Sequence, residues 1–202
     1  MKLKKIESIC KRSKTISIIA DENNQWIGEY GAYYLIEDLP TLSKEQIFAI
    51  FDIQPDQQEK YSFSQMNKAY YLILDDNFRT DNSVDIFSEF SLTSDGTEII
   101  PVETSQGLKF IAKRYLKPFD KEQITVFERT SDTGSLYFIV KKGMFIKAVI
   151  LPLMLKENGK ALEEWSVRFA QAMKSFTNDF GLYKNELDPH QTCFDELRGD
   201  DE

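Results

Sequence analysis

TSQGLKFIAKRYLKP, residues 104–118, is the stretch on which the fold turns. Thr104 or Ser105 can cap a helix, Pro118 stops one, and Leu108, Ile111, Ala112 and Tyr115 recur at helical spacing. The pattern predicts a helix from about Gly107 to Lys117. Lys109, Lys113 and Lys117 then lie along one edge of it, with Arg114 nearby, and the apolar residues lie on the other side.

Outward from this stretch the chain reads as strands. Ile124–Thr130 and Ser135–Lys142 flank Ser131-Asp132-Thr133-Gly134 as a hairpin, and Lys142-Gly143 turns the chain again into Met144–Leu155. On the other side, Phe87–Thr93 and Thr97–Val102 flank Ser94-Asp95-Gly96, and Asp-Gly between alternating runs is a strong hairpin signal. Further upstream, Ala69–Leu74 reads as a strand and Asp75–Ser83 as polar loop.

The front of the chain repeats the order. Leu3, Ile6, Ile9 and Cys10 recur at helical spacing, with Lys4, Lys5, Lys11 and Arg12 on the opposite arc. Thr15–Ala20 alternates as a strand and Gln25–Glu37 returns, with Gly28 and Gly31 marking a bulge or a tight bend that splits it. Ser43 and Gln46 form a capping box for a short helix that buries Ile47, Ile50 and Phe51 and ends before Pro55.

A helix with a cationic face thus precedes a meander of strands twice, at residues 3–37 and 107–155. The predicted class is α+β: antiparallel sheets with packed helices, as one domain over 1–182 made of two helix-plus-meander units (about 1–104 and 105–157). An added C-terminal amphipathic helix (about 160–180) carries Trp165, Phe169, Met173, Phe176 and Phe180. Residues 183–202 form an acidic, flexible tail.

Charge is distributed unevenly. The formal net charge is −8, yet residues 1–14 and 109–121 hold eleven of the 25 lysines and arginines and only two acids, Glu7 and Asp120. A basic stripe on an acidic body is an electrostatic footprint that a global charge conceals. The candidate phosphate-contacting residues are Lys4, Lys5, Lys11, Arg12, Lys109, Lys113, Arg114 and Lys117. The bland counterpart is that a cationic helix face is simply solvated.

Other chemistry is sparse. His190 is the single histidine, and with Asp188, Cys193 and Asp195 it lacks the second cluster that a structural zinc or a thiol nucleophile needs. Cys10 reads as core packing, and the two cysteines make no disulfide framework, in keeping with a reducing cytoplasm. Trp26, Tyr30, Tyr33, Tyr34, Tyr70 and Tyr71 form either a stacking platform for single-stranded nucleic acid or, by the commoner pattern, a packed sheet face. Asp75-Asp76 in a polar loop reads as solvated rather than as a cation site. No glycine pattern cradles phosphate. The expectation is therefore a non-enzymatic protein without cofactor or metal. The longest apolar run, Met144–Leu155, contains Lys147 and Pro152 and is too short for a membrane span.

Two resemblances extend this reading. Gln106–Ile111, Gln123–Glu128 and Ala148-Val149-Ile150-Leu151-Pro152-Leu153-Met154 together resemble the closing motif of bacterial DNA sliding clamps. There a helix precedes an acidic-flanked strand, a turn and a final strand of Val-Ile-Met-Pro-Met type. Leu151 stands where that family usually has its first methionine, and the chain continues for about fifty residues.

Gln25-Trp26-Ile27-Gly28 with Gly31-Ala32-Tyr33, Leu39–Leu42, Phe51-Asp52-Ile53, Pro101–Gly107, Arg114–Pro118 and Gly143-Met144 resemble an uncharacterised protein family. Its members occur in prophages and integrative elements of Gram-positive gut bacteria. Glu29-Tyr30 departs from that pattern, where a small residue is usual, as does the acidic C-terminus. These resemblances imply a DNA-clamp-like fold in a mobile-element context with no established activity. Duplex DNA and a replication or mobile-element protein are the implied partners. Encircling a duplex would require a homo-oligomer. The rival expectation is an adaptor or inhibitor that binds protein through its acidic surface.

Overall fold

Helix α1 (Leu3–Ser13) forms where the apolar spacing placed it, burying Ile6, Ile9 and Cys10. Lys14 ends it in a left-handed conformation (φ 51°), its N–H bonded to the Cys10 carbonyl. The computed structural model describes residues 1–20, 24–37, 39–66, 72–76, 81–86, 91–94 and 96–153. These fall in the compact unit Met1–Met154. The C-terminal helix, the acidic tail, Tyr70, Tyr71 and the residues around His190 lie outside the described residues.

From α1 the chain enters β1 (Thr15–Ala20), β2 (Gln25–Glu29) and β3 (Ala32–Ile36), an antiparallel meander. The bend at Tyr30-Gly31 splits the return strand as glycine spacing anticipated. Helix α2 (Lys44–Ile50) follows, and its capping box forms as read: Gln46 N–H donates to Ser43 Oγ at 3.3 Å and Ser43 N–H to Gln46 Oε1 at 2.7 Å. One expectation there fails. Phe48 is buried while Ile50 is 41% exposed, because the short helix presents only Ile47 and Phe48, with Phe51 at its end, to the core.

A 3-10 turn (Pro55–Lys60) leads to β4 (Ser62–Met66), which lies parallel to β1, making the large sheet mixed rather than purely antiparallel. Residues 72–74 are not in a strand, contrary to the expectation over Ala69–Leu74. A two-residue strand β5 (Asn82–Ser83) edges the sheet. The hairpin around Gly96 forms, with β6 (Leu92–Ser94) against β7 (Thr97–Thr104).

The decisive stretch is not a helix over 107–117. It is strand β8 (Gly107–Ala112), paired antiparallel with β7, followed by a 3-10 helix from Lys113 to Phe119. Thr104, read as a helix cap, instead holds a tight turn: its Oγ1 donates to the Gly107 carbonyl at 2.5 Å and accepts from Gln106 N–H at 3.2 Å. Gly107 sits at φ 84°, a conformation glycine adopts without penalty. Leu108, Phe110 and Ala112 share one side of a strand, just as Leu108, Ile111 and Ala112 share one side of a helix. The partner strand, with Ile100 and Val102 buried, decides between them.

The last meander forms with β9 (Thr125–Thr130), β10 (Leu136–Lys142) and β11 (Phe145–Ile150). Its final strand stops at Ile150, and residues 151–153 are not in a strand, short of the expectation to Leu155. The eight-stranded sheet runs β4-β1-β2-β3-β11-β10-β9-β5, and β6-β7-β8 forms a second sheet. The two meanders therefore meet edge to edge, Ala32–Tyr34 pairing antiparallel with Ala148–Ile150. Alternation then divides the large sheet's residues between two clusters. Ile16, Ile18, Phe138 and Val140 pack with α1, α2 and the second sheet, while Ile19, Trp26, Tyr137 and Ile139 pack on the other face. Each such fully buried side chain contributes roughly 1.5–3 kcal/mol.

Candidate functional site: a cationic face

The helical segment that precedes each meander packs against the other. Lys2 N–H donates to the Pro118 carbonyl at 3.0 Å, joining the start of α1 to the end of the 3-10 helix. At the far end of α1, Arg12 Nη2 donates to the Gly96 carbonyl at 3.1 Å, in the β6–β7 turn. Glu98, just past that turn, binds Lys113 at the start of the 3-10 helix. The two segments thus lie side by side and antiparallel. The 3-10 helix buries Tyr115, Pro118 and Phe119, and Tyr34 Oη locks it to the sheet through the Tyr115 carbonyl at 2.9 Å.

The eight candidate cations divide into three groups. Lys4, Lys5, Arg12 and Lys117 are exposed, and the three lysines make no ion pair among the described residues. Lys11, Lys113 and Arg114 are matched by acids. Lys11 Nζ meets Glu7 at 2.7 Å, one helical turn away, and that hydrogen bond raises its pKa. Lys113 meets Glu98 at 2.6 Å, and this contact lowers the Glu98 carboxyl below its ordinary range. Both pairs are solvent-screened, so each contributes little to stability.

Arg114 turns inward to Glu29, at 3.1 Å, and to Tyr115 Oη, at 3.2 Å. Glu29 is only 4% exposed. Burial opposes the Arg114 charge, but Tyr115 and Glu29 outweigh it and the net shift is upward. Burial, reinforced by Glu29, pushes the Tyr115 hydroxyl well up. Glu29, noted in the sequence only as a departure from a family pattern, is therefore the acid that anchors Arg114. Lys109 leaves the group altogether, because on β8 it faces a cleft instead of extending the edge of a helix.

Two further arrangements escaped the sequence. Asp81 takes a bidentate contact from Arg129, at 2.5 and 2.8 Å, and a third bond from Lys141 at 2.5 Å. Arg129 also donates to the carbonyls of Ile73 and Asp75, and Lys141 to that of Asp76. Asp76 Oδ1 accepts from Ile146 N–H at 2.7 Å, so this side chain is bonded to the sheet. The cluster ties Ile73, Asp75, Asp76 and Asp81 to β9, β10 and β11. These residues are dispersed in sequence, and no spacing announces them. The second arrangement is a cleft lined by Tyr30, Leu72, Lys109, Thr133 and Leu151 among others.

The remaining candidates resolve simply. Cys10 is fully buried, and burial first, then Glu29, push its thiol up to about 12. Trp26, Tyr33 and Tyr34 are buried in the sheet and offer no stacking platform, while Tyr30 is exposed. Among the described residues no group of His, Cys, Asp and Glu is placed to hold a metal ion, and no helix is long and apolar enough to cross a membrane. No family model matches the chain, and no curated protein or solved structure matches it significantly.

Proposed function

We propose that α1 and the 3-10 helix Lys113–Phe119 form a face that contacts the phosphate backbone of duplex DNA, in a non-enzymatic, clamp-like protein. The reading is carried by one observation: two cationic segments from distant parts of the chain lie antiparallel, with Lys4, Lys5, Arg12 and Lys117 exposed. Support also comes from the fold order, in which each segment precedes a three-stranded meander and the meanders join edge to edge. The acidic remainder of the chain confines attraction for a polyanion to this face.

Such contacts position a protein without reading sequence. Four neutralised phosphates correspond to a slope of about −3.6 in log K against log salt, or about a hundredfold loss of affinity for a fourfold rise in salt. One unit is too small to surround a duplex, so a ring requires several copies. A replication or mobile-element protein that handles DNA fits the same surface as a partner in assembly.

The test is fluorescence anisotropy of the full chain with labelled duplexes of unrelated sequence across a salt series. Equal affinity for all duplexes, the stated slope, and loss of binding in Lys4→Glu/Lys5→Glu/Arg12→Glu/Lys117→Glu are expected. Undetectable binding at low salt, or binding that survives this variant, overturns the proposal. A nuclease-insensitive protein partner would then favour an adaptor.

A further inference from the structure

At the end of the large sheet where β9 turns into β10, a cleft of about 690 Å³ opens. That volume lies within the range of about 300–1,000 Å³ typical of small-molecule sites. Its floor is the segment Leu151-Pro152-Leu153, which bridges the two sheets: Leu151 N–H donates to the Gly31 carbonyl at 2.9 Å and Leu153 N–H to that of Phe110 at 2.8 Å. These residues and Leu72 are half-buried, so apolar surface remains open to the cleft. Tyr137 adds a ring whose hydroxyl is already satisfied by the backbone of Ile73.

The polar edge is economical. Ser131, Thr133 and Ser135 form a chain of hydroxyls, with 2.8 Å between Ser131 Oγ and Thr133 Oγ1. Lys109 is the only cation among the described residues lining the cleft, and it makes no ion pair with a described residue. Among the described residues, an apolar body beside one positive charge and neutral hydroxyls matches a ligand with a hydrocarbon portion and one negative charge. One lysine supplies one charge-assisted contact, which a single carboxylate satisfies.

We propose that this cleft binds an amphipathic monocarboxylate, its apolar part over Leu151–Leu153 and its carboxylate at Lys109. The site is separate from the cationic face and does not depend on DNA binding.

The experiment is titration of the full chain with 11-(dansylamino)undecanoate, followed by emission shift, with displacement by dodecanoate and by dodecanol. Saturable binding at one site per chain is expected, with dodecanoate displacing the probe better than dodecanol. Lys109→Gln should weaken dodecanoate by about tenfold, the scale of one charge-assisted contact, and leave dodecanol unchanged. Thr133→Trp, at an exposed position on the mouth, should weaken both, and Tyr30→Ala provides a second wall variant should the first melt early by circular dichroism. Absence of saturable binding, unchanged dodecanoate affinity in Lys109→Gln, or indifference to both wall variants overturns the proposal.

Discussion

Replacing Asp81 by Asn removes one negative charge from between two buried cations. The Arg129 side chain is fully buried, and those of Lys141 and Asp81 are each 8% exposed. Removing the partner of a buried ion pair typically costs about 3–5 kcal/mol, because the surviving charge has lost its compensation. Here two charges survive, but the carbonyls of Ile73, Asp75 and Asp76 still accept from them. The lower end, about 3 kcal/mol, is the expected loss. Urea denaturation at neutral pH, followed by circular dichroism, measures it.

Acidity supplies an independent check. Burial pushes the Asp81 carboxyl up, but the bonds from Arg129 and Lys141 outweigh it and hold the group below its ordinary value. Its contribution is therefore complete above an unfolded pKa of about 3.9 and is lost as pH falls through the lower folded value. The gap between wild type and Asp81→Asn should accordingly close on acidification below about pH 4. Adding Lys141→Met should recover about 1–3 kcal/mol as coupling, since it removes one stranded charge. A loss under about 1 kcal/mol, or a gap indifferent to acid, would refute this account of how Asp81 is held against Arg129 and Lys141.

Two further outcomes concern packing. Gly28→Ala would drive a new Cβ into the Ala32 carbonyl at the β2–β3 pairing, where backbone cannot yield cheaply; a loss of about 1–3 kcal/mol is expected in the same denaturation assay, and a neutral substitution would contradict the close approach. Cys10, with its thiol neutral up to about 12 and its side chain buried, should resist iodoacetamide in a Cys193→Ser variant until the protein unfolds; fast alkylation of the native protein would show that α1 opens readily.

Local chemistry made much of the architecture legible. Ser43 and Gln46 announce a capping box because both partners lie within one helical turn. The β9–β10 hairpin is visible because alternating runs flank a four-residue turn, and α1 because Ile6, Ile9 and Cys10 repeat on one side. The cationic stretches were also visible, since charge is additive along a sequence. The parallel pairing of β4 with β1 was not, because partners almost fifty residues apart, such as Ser17 and Ser64, leave no periodic trace.

What the sequence alone determined, then, is which segments are amphipathic and where positive charge concentrates. Only the tertiary structure decided what Gly107–Lys117 becomes, and with it the fate of the charges. Leu108–Ala112 can present an apolar side as helix or as strand. The hairpin ladder to Thr97–Thr104, closed by the tight turn at Thr104–Gly107, selects strand. That choice sends Lys109 to a cleft and leaves Lys113–Phe119 as a 3-10 helix beside α1. Burial then separates cations that look equivalent in sequence: Arg114 is spent on Glu29, while Lys117 stays in solvent. Whether a charge is free depends on which acid the fold brings to it, and that is a property of three-dimensional proximity.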